Sequence, residues 1–148
     1  MNFTLRPATT GDREFVESVY FESHRWLIER LFGWRGDEVE HARFAQHYKE
    51  AQTTIVAIEG EDTGWLSVDR RSGVITVEQV YIAAKWRNRG IGTQLLSGLI
   101  AEAAAAGIPL RLSTAKINPA LRLYERLGFR AIGESEHKVL LELGSRRG

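Results

Sequence analysis

The sequence predicts a mixed α+β fold: one domain over residues 1–148, built on a mostly antiparallel sheet of about seven strands with four flanking helices. Three observations carry that expectation. The first is a β-branched and aromatic run (Val74, Ile75, Thr76, Val77, Val80, Tyr81, Ile82) of central-strand length. The second is the segment directly after that run: a short basic turn from Ala83 to Arg89, then Gly90-Ile91-Gly92 opening an apolar stripe at helical spacing. That stripe is Ile91, Leu95, Leu96, Leu99 and Ile100, with Gly107 and Pro109 as stop signals. The third is a set of six further short strand patterns, separated by turn residues or by helical stretches.

Taken in order, Phe3 to Arg6 alternates apolar and polar residues and ends at Pro7, a short first strand. Thr9 or Thr10 can cap a helix whose first turn holds Asp12 and Glu14. Phe15, Val16, Val19 and Tyr20 give that helix an apolar face, and the pattern continues through His24, Trp26, Leu27 and Leu31 to a break at Gly33. A second helix is expected from Asp37 to Glu50, carrying Val39, Phe44 and Tyr48. Thr53 to Ile58, Gly64 to Asp69 and Val74 to Ile82 read as an antiparallel meander, turned at Glu59-Gly60-Glu61-Asp62 and at Arg70-Arg71-Ser72-Gly73. Beyond the central helix, Leu110 to Ala115 alternates as a strand. Asn118 and Pro119 then start a last helix, asparagine as its cap and proline at the first helical position, with Gly128 just past its end. Phe129 to Ile132 and Lys138 to Leu143 close the chain as a hairpin, and Gly144 to Gly148 is a polar tail expected to fray.

Hydrophobic residues make up 43% and charged residues 26%, enough apolar material for one full-sized core. A formal net charge of +1 gives no electrostatic argument for nucleic acid or an anionic membrane as partner. The absence of cysteine excludes disulfides, thiolate metal sites and a cysteine nucleophile, and is neutral about compartment. The amino terminus, Met1-Asn2-Phe3-Thr4-Leu5-Arg6, has no signal-peptide pattern, and no apolar run is long enough to span a bilayer, so a cytoplasmic protein is expected. His24, His41, His47 and His137 show no metal-ligand spacing, so no metal is expected.

A glycine-rich turn feeding a helix start is an anion site. The first helical amides have no internal partner, the macrodipole is positive there, and glycine lets a phosphate approach the backbone. Lys85, Arg87 and Arg89 add full charges at the same point. The segment Arg87-Asn88-Arg89-Gly90-Ile91-Gly92, followed by Thr93 and Leu95-Leu96, resembles the signature of the GNAT superfamily of acetyl-CoA-dependent N-acetyltransferases: Gln or Arg, two residues, Gly, one residue, Gly or Ala. Ala84 stands where that family often has a turn proline, which touches turn rigidity more than chemistry. A second resemblance runs from Asn118 through Leu123-Tyr124-Glu125 to Leu127-Gly128-Phe129, similar to the family's late motif. The order of elements also matches over nearly the whole chain. The resemblance implies a sheet splayed between its fourth and fifth strands, with the pantetheine arm of the coenzyme in the gap.

It also implies roles. The main chain of Val80, Tyr81 and Ile82 would pair with pantetheine and polarise the thioester carbonyl. Amides from Asn88 through Gly90, Ile91 and Gly92 to Thr93 would hold the diphosphate, beside Arg87 and Arg89. Asn118 would bond the pantetheine, and Tyr124 would stand beside the sulfur, where a phenol of pKa about 10 can protonate the departing thiolate. A carboxylate near the acetyl group, directly or through water, can free the amine of its proton. Glu78 is the candidate, because an ionised group on the nominal face of Val80 and Ile82 calls for a partner or a task; a salt bridge to Arg70 or Arg111, an exposed strand face, or water as the acceptor are the alternatives. The family's other position for this group, on the fifth strand, holds Ser113. Trp26, Phe32 and Trp34 with Glu22, His24, Glu29 and Asp37 would suit a cationic acceptor, Glu22, Trp26 and Trp34 in particular, although core packing explains such aromatics equally well. Arg122, Arg126 and Arg130 read as a solvated face.

The expected activity is transfer of an acetyl group from acetyl-CoA to a primary amine of a small molecule or peptide, by direct attack in a ternary complex, with no nucleic acid or membrane involved. Monomer and homodimer both remain open. Two other readings compete. A dinucleotide-binding domain would need a third glycine after Gly90-Ile91-Gly92, and a nucleotide P-loop would need Gly-Lys-Ser/Thr. A catalytically silent acyl-CoA-binding module is opposed by Tyr124 and Glu78.

Overall fold

The computed structural model describes residues 2–144, so the polar tail expected after Gly144 lies outside the described residues from residue 145 on. Seven strands and four helices follow in the order β1 (Thr4–Pro7), α1 (Arg13–Leu31), α2 (Asp37–His47), β2 (Thr53–Ile58), β3 (Glu61–Asp69), β4 (Ile75–Ile82), α3 (Ile91–Ala106), β5 (Leu110–Ala115), α4 (Leu121–Arg126), β6 (Arg130–Glu134) and β7 (Lys138–Leu143). The sheet order is β1-β2-β3-β4-β5-β7-β6. β1–β2, β2–β3, β5–β7 and β6–β7 run antiparallel and β4–β5 parallel, a mixed sheet in an α+β fold. The β4–β5 ladder holds three partner pairs, Ile75–Leu110, Thr76–Arg111 and Val77–Leu112, while β4 itself runs on to Ile82 and β5 to Ala115.

The chain clusters into two compact units, one up to Ser67 with Gln79–Gly92, the other Val68–Glu78 with the chain from Thr93 onward. In the first, Val16, Val19, Phe44, Ile55 and Trp65 form a buried core, with Tyr20, Phe21, Tyr48 and Tyr81 packed against it. Trp65 is fully buried, and its indole N–H donates to the Val16 carbonyl at 3.0 Å, so its one polar atom is satisfied inside the core. The helix entry differs from a simple threonine cap. A 3-10 turn over Thr10–Asp12 precedes α1, and the Asp12 carboxylate accepts from the Thr9 N–H at 2.8 Å and from both terminal nitrogens of Arg6 at 2.8 and 2.9 Å. Arg6 also reaches Asp62 at 3.2 Å, tying β1, the helix entry and β3 together.

Among the boundaries that differ from expectation, two have a clear physical reason. α2 ends at His47 rather than Glu50, because Tyr48 turns extended and lays its ring against Phe44 (centroids 5.4 Å) and Trp65 (6.2 Å); Glu50–Gln52 then forms a separate 3-10 turn. β3 begins at Glu61, three residues before Gly64. The β2–β3 connection is a two-residue turn, Glu59-Gly60, with Glu59 at φ +52° and Ile58 opposite Glu61, the primed hairpin geometry that keeps strand twist continuous.

In the second unit, Ile75, Val77, Leu99, Leu110, Phe129 and Leu141 are among the buried residues. α3 closes with the N–H of Gly107 on the Ala104 carbonyl and that of Ile108 on the Ala103 carbonyl. Arg70 binds Glu102 through two bonds of 2.6 and 3.0 Å, and Arg111 binds its cross-strand neighbour Glu142 at 2.8 Å. β6 is exposed along its whole length.

Candidate active site

In the first unit the end of β4 leads into the glycine-rich turn. Val80, Tyr81 and Ile82 are half-buried, and the Ala83 N–H donates to the Thr63 carbonyl at 2.8 Å. A 3-10 turn over Ala84–Trp86 comes next, then Arg87 to Gly90, all exposed, before α3 starts at Ile91. Asn88 (φ +62°) and Gly90 (φ +82°) both take the left-handed conformation, which reorients successive N–H groups. A Cβ placed on Gly90 or Gly92 would meet no atom within 4 Å, so the space beside both glycines is open at the helix start. Among the described residues the cations of this turn have partners of their own. Lys85 pairs with Glu61 at 2.9 Å, holding that carboxyl below its usual range, and Glu61 also accepts from the Trp86 indole at 3.2 Å. The Arg89 guanidinium lies 5.0 Å from the Trp86 ring centroid.

Arg87 turns inward. Its Nε donates to the Ile82 carbonyl at 3.0 Å and a terminal nitrogen donates to the Ser23 hydroxyl at 2.8 Å, with the Glu22 carboxylate 3.7 Å away. Glu22, expected beside the acceptor, accepts the Ala84 N–H at 2.9 Å. Sequence reasoning gave no sign of Ser23, since a serine on a helix carries no pattern of its own. Trp34 is also engaged: its indole N–H donates to Asp37 at 3.0 Å, Arg25 covers its ring at 4.0 Å, and Phe21 meets it edge-on at 5.6 Å. Trp26 is 44% exposed. Tyr81 meets Tyr20 edge-on at 5.5 Å, and its hydroxyl stands 3.5 Å from Nδ1 of His24.

In the second unit, Asn118 and Tyr124 are set by local backbone geometry. The Asn118 side-chain oxygen accepts from the Ala120 N–H at 2.9 Å, and its amide nitrogen donates to the Thr114 hydroxyl at 3.0 Å. It caps a turn; the α-helix itself starts at Leu121, later than asparagine capping predicts. One N–H and one lone pair of that amide are left over for another partner. α4 ends on Gly128, at φ +105°, with the Phe129 N–H closing on the Tyr124 carbonyl at 3.1 Å and the Gly128 N–H on the Glu125 carbonyl at 3.0 Å. That is the left-handed glycine cap in which the residue after glycine packs on the residue five before it. Here those residues are Phe129, 3% exposed, and Tyr124, with ring centroids 6.1 Å apart. The run Leu127-Gly128-Phe129 therefore fixes the Tyr124 ring. Burial pushes the Tyr124 phenol above its ordinary value, and its hydroxyl has no hydrogen-bond partner among the described residues.

Glu78 is exposed, which removes the burial argument that singled it out. Arg70 and Arg111, its expected salt-bridge partners, are bound to Glu102 and Glu142; its charge acts on Arg71. Thr93 and Ser113 are exposed. Among the described residues no three His, Asp or Glu side chains come together as a metal ion would require, and no helix is long and apolar enough to cross a membrane.

Comparison with known proteins adds a family. The acetyltransferase (GNAT) domain matches residues 49–131, more than half of the chain. An uncharacterized N-acetyltransferase of Archaeoglobus fulgidus is 24% identical over 99 residues, 62% of this chain and 67% of that protein. The PaiA N-acetyltransferase of Thermoplasma acidophilum, solved in complex with coenzyme A, superposes with a TM-score of 0.76 at 16% identity, over 96% of this chain and 98% of that one. The ribosomal-protein-S18-alanine N-acetyltransferase of Escherichia coli does so with a TM-score of 0.67 at 18% identity, over 96% and 93%. At these identities the structural likeness concerns the fold.

Proposed function

The chain belongs to the GNAT acetyltransferase family, and from that premise we propose that residues 1–148 act as one N-acetyltransferase domain that moves an acetyl group from acetyl-CoA to a primary amine. The observation that carries the reading is the turn from Asn88 to Gly90, exposed and leading into a helix start, with open space beside Gly90 and Gly92 where a diphosphate would meet N–H donors and no glycine Cβ. Amides from Asn88 to Thr93 receive the diphosphate, with Arg89 as the nearby cation. The main chain of Val80, Tyr81 and Ile82 receives the pantetheine arm and the thioester carbonyl. Asn118 has donor and acceptor capacity left for the amide of that arm.

The reaction is a direct one. The amine, as free base, attacks the thioester carbonyl carbon; the C–N bond forms, the C–S bond breaks, and the thiolate leaves. Tyr124 supplies the thiolate's proton, and its raised pKa keeps the phenol protonated at physiological pH. Glu78 or a water takes the proton that the amine gives up. Glu22, Trp26 and Trp34 are assigned to the acceptor from α1 and the stretch after it. The acceptor is a small amine or a peptide, and a second copy of the chain is an open partner.

The test is release of free thiol from acetyl-CoA across a library of polyamines, amino acids and peptides with free amino termini. The reading expects one amine class to give thiol release with a matching acetylated product. Coenzyme binding without turnover on any amine would point to a silent acyl-CoA-binding module instead.

A further inference from the structure

Arg87 opens the glycine motif, and its charge suggests a phosphate ligand. At the surface its guanidinium bonds the protein's own groups instead: Nε on the Ile82 carbonyl at 3.0 Å, a terminal nitrogen on the Ser23 hydroxyl at 2.8 Å, and the Glu22 carboxylate at 3.7 Å. Glu22 accepts the Ala84 N–H at 2.9 Å as well. Glu22 and Ser23 are consecutive on α1, while Ile82 ends β4 and Ala84 begins the turn after it. A planar fork can serve two acceptors lying in different directions, which one ammonium on a flexible stem cannot do in the same geometry. Any one of these surface interactions is weak, but the four share one guanidinium and one carboxylate, and they converge on the strand end.

We propose that Arg87 is a positioning residue, which with Glu22 and Ser23 locks the end of β4 and the following turn to α1, and that it does not bind the coenzyme phosphates. The proposal rests on the acetyltransferase reading above, since it assigns the locked strand end to the thioester. The clamp keeps that strand end at one spacing from α1, the helix assigned to the acceptor. Breaking the clamp then shows in the rate of transfer, and removing Arg89 shows in coenzyme affinity.

Two measurements need no knowledge of the acceptor: calorimetric titration with coenzyme A, and hydrogen exchange at the Ala84 amide. Arg89→Gln takes the assigned cation away from the diphosphate and weakens coenzyme A about tenfold, whereas Arg87→Gln changes it by less than about twofold, within the range of surface substitutions. Glu22→Gln and Ser23→Ala together speed exchange at Ala84. With an amine that the wild type acetylates, Arg87→Gln lowers kcat while leaving the KM for acetyl-CoA in place, and Arg87→Lys does not restore it. The proposal is overturned if Arg87→Gln weakens coenzyme A as much as Arg89→Gln does, or if exchange at Ala84 is unchanged in the Glu22/Ser23 variant. Failure of wild-type protein to bind coenzyme A would remove the acetyltransferase reading, and the exchange measurement would still decide whether the clamp exists.

Discussion

Tyr124 shows how a single side chain can be placed by backbone rules. Its ring is held by Phe129 through the glycine cap of α4, burial keeps its phenol protonated, and its hydroxyl has no partner among the described residues. Tyr124→Phe therefore removes one oxygen and no packing. We expect kcat to fall by a factor on the order of 10²–10⁴, the usual size of a general-acid contribution, with coenzyme A affinity nearly intact by calorimetry; equal turnover would take Tyr124 out of the chemistry. Asp12 offers a test of stability at the same scale. Arg6 and the Thr9 amide hold its carboxyl well below the usual range, so the folded chain binds that proton less readily than the unfolded one. Its contribution is therefore present at neutral pH and fades as pH falls below the ordinary aspartate pKa of about 4. Asp12→Asn should cost about 1–2 kcal/mol at pH 7 and clearly less at pH 3, as measured by urea unfolding; an equal cost at both pH values would mean that the charge is not what stabilises. Single residues were also where the surroundings were least legible in the sequence. Glu78 stands out in a one-dimensional pattern because a carboxylate interrupts an apolar strand, but exposure is a tertiary property. The contacts of Glu22 with the Ala84 amide and of Arg87 with Ser23 were not legible at all, because partners 62 and 64 residues apart in the chain leave no local trace.

Elements were more legible where a stop or start is chemical. β2 and β5 run over the residues expected of them, β5 from the alternation of its side chains, and α3 starts and stops at the expected glycines. The misses lie where a local signal yielded to packing or to turn chemistry. Tyr48 leaves the helix to pack on Trp65, Glu61 and Asp62 join a strand that their polarity argued against, and Asn118 caps a turn before the helix proper. The turn between β4 and α3 carries its own prediction. Gly92 lies in α3 with no atom within 4 Å of where a Cβ would go, so a side chain starts there without a clash, and a leucine replaces a poor helix former. Gly92→Leu should keep or raise the melting temperature while weakening coenzyme A at least tenfold, about 1.4 kcal/mol. Unchanged affinity would show that the diphosphate does not rest on this helix start.

At the scale of the whole molecule, the order of strands and helices was legible from periodicity and punctuation, even for β1, β6 and α4, which bury no face of their own. The sheet order is a different matter: that β5 pairs parallel with β4, and that β7 lies between β5 and β6, depends on pairings far apart in the chain and had no expectation in the sequence; the family resemblance implied only a parting between the fourth and fifth strands. The family match rests on residues 49–131, which include the glycine turn, Asn118 and Tyr124, so fold and candidate chemistry point to one reading. Its central claim is that main-chain N–H groups from Asn88 to Thr93 grip the diphosphate of coenzyme A. The most direct measurement is a titration of isotope-labelled protein with coenzyme A, followed through its backbone amide resonances. The account predicts that the largest shifts fall on Asn88 to Thr93, joined by Val80 to Ile82. Saturation of binding with those amides unmoved, or shifts confined to other parts of the chain, would contradict it.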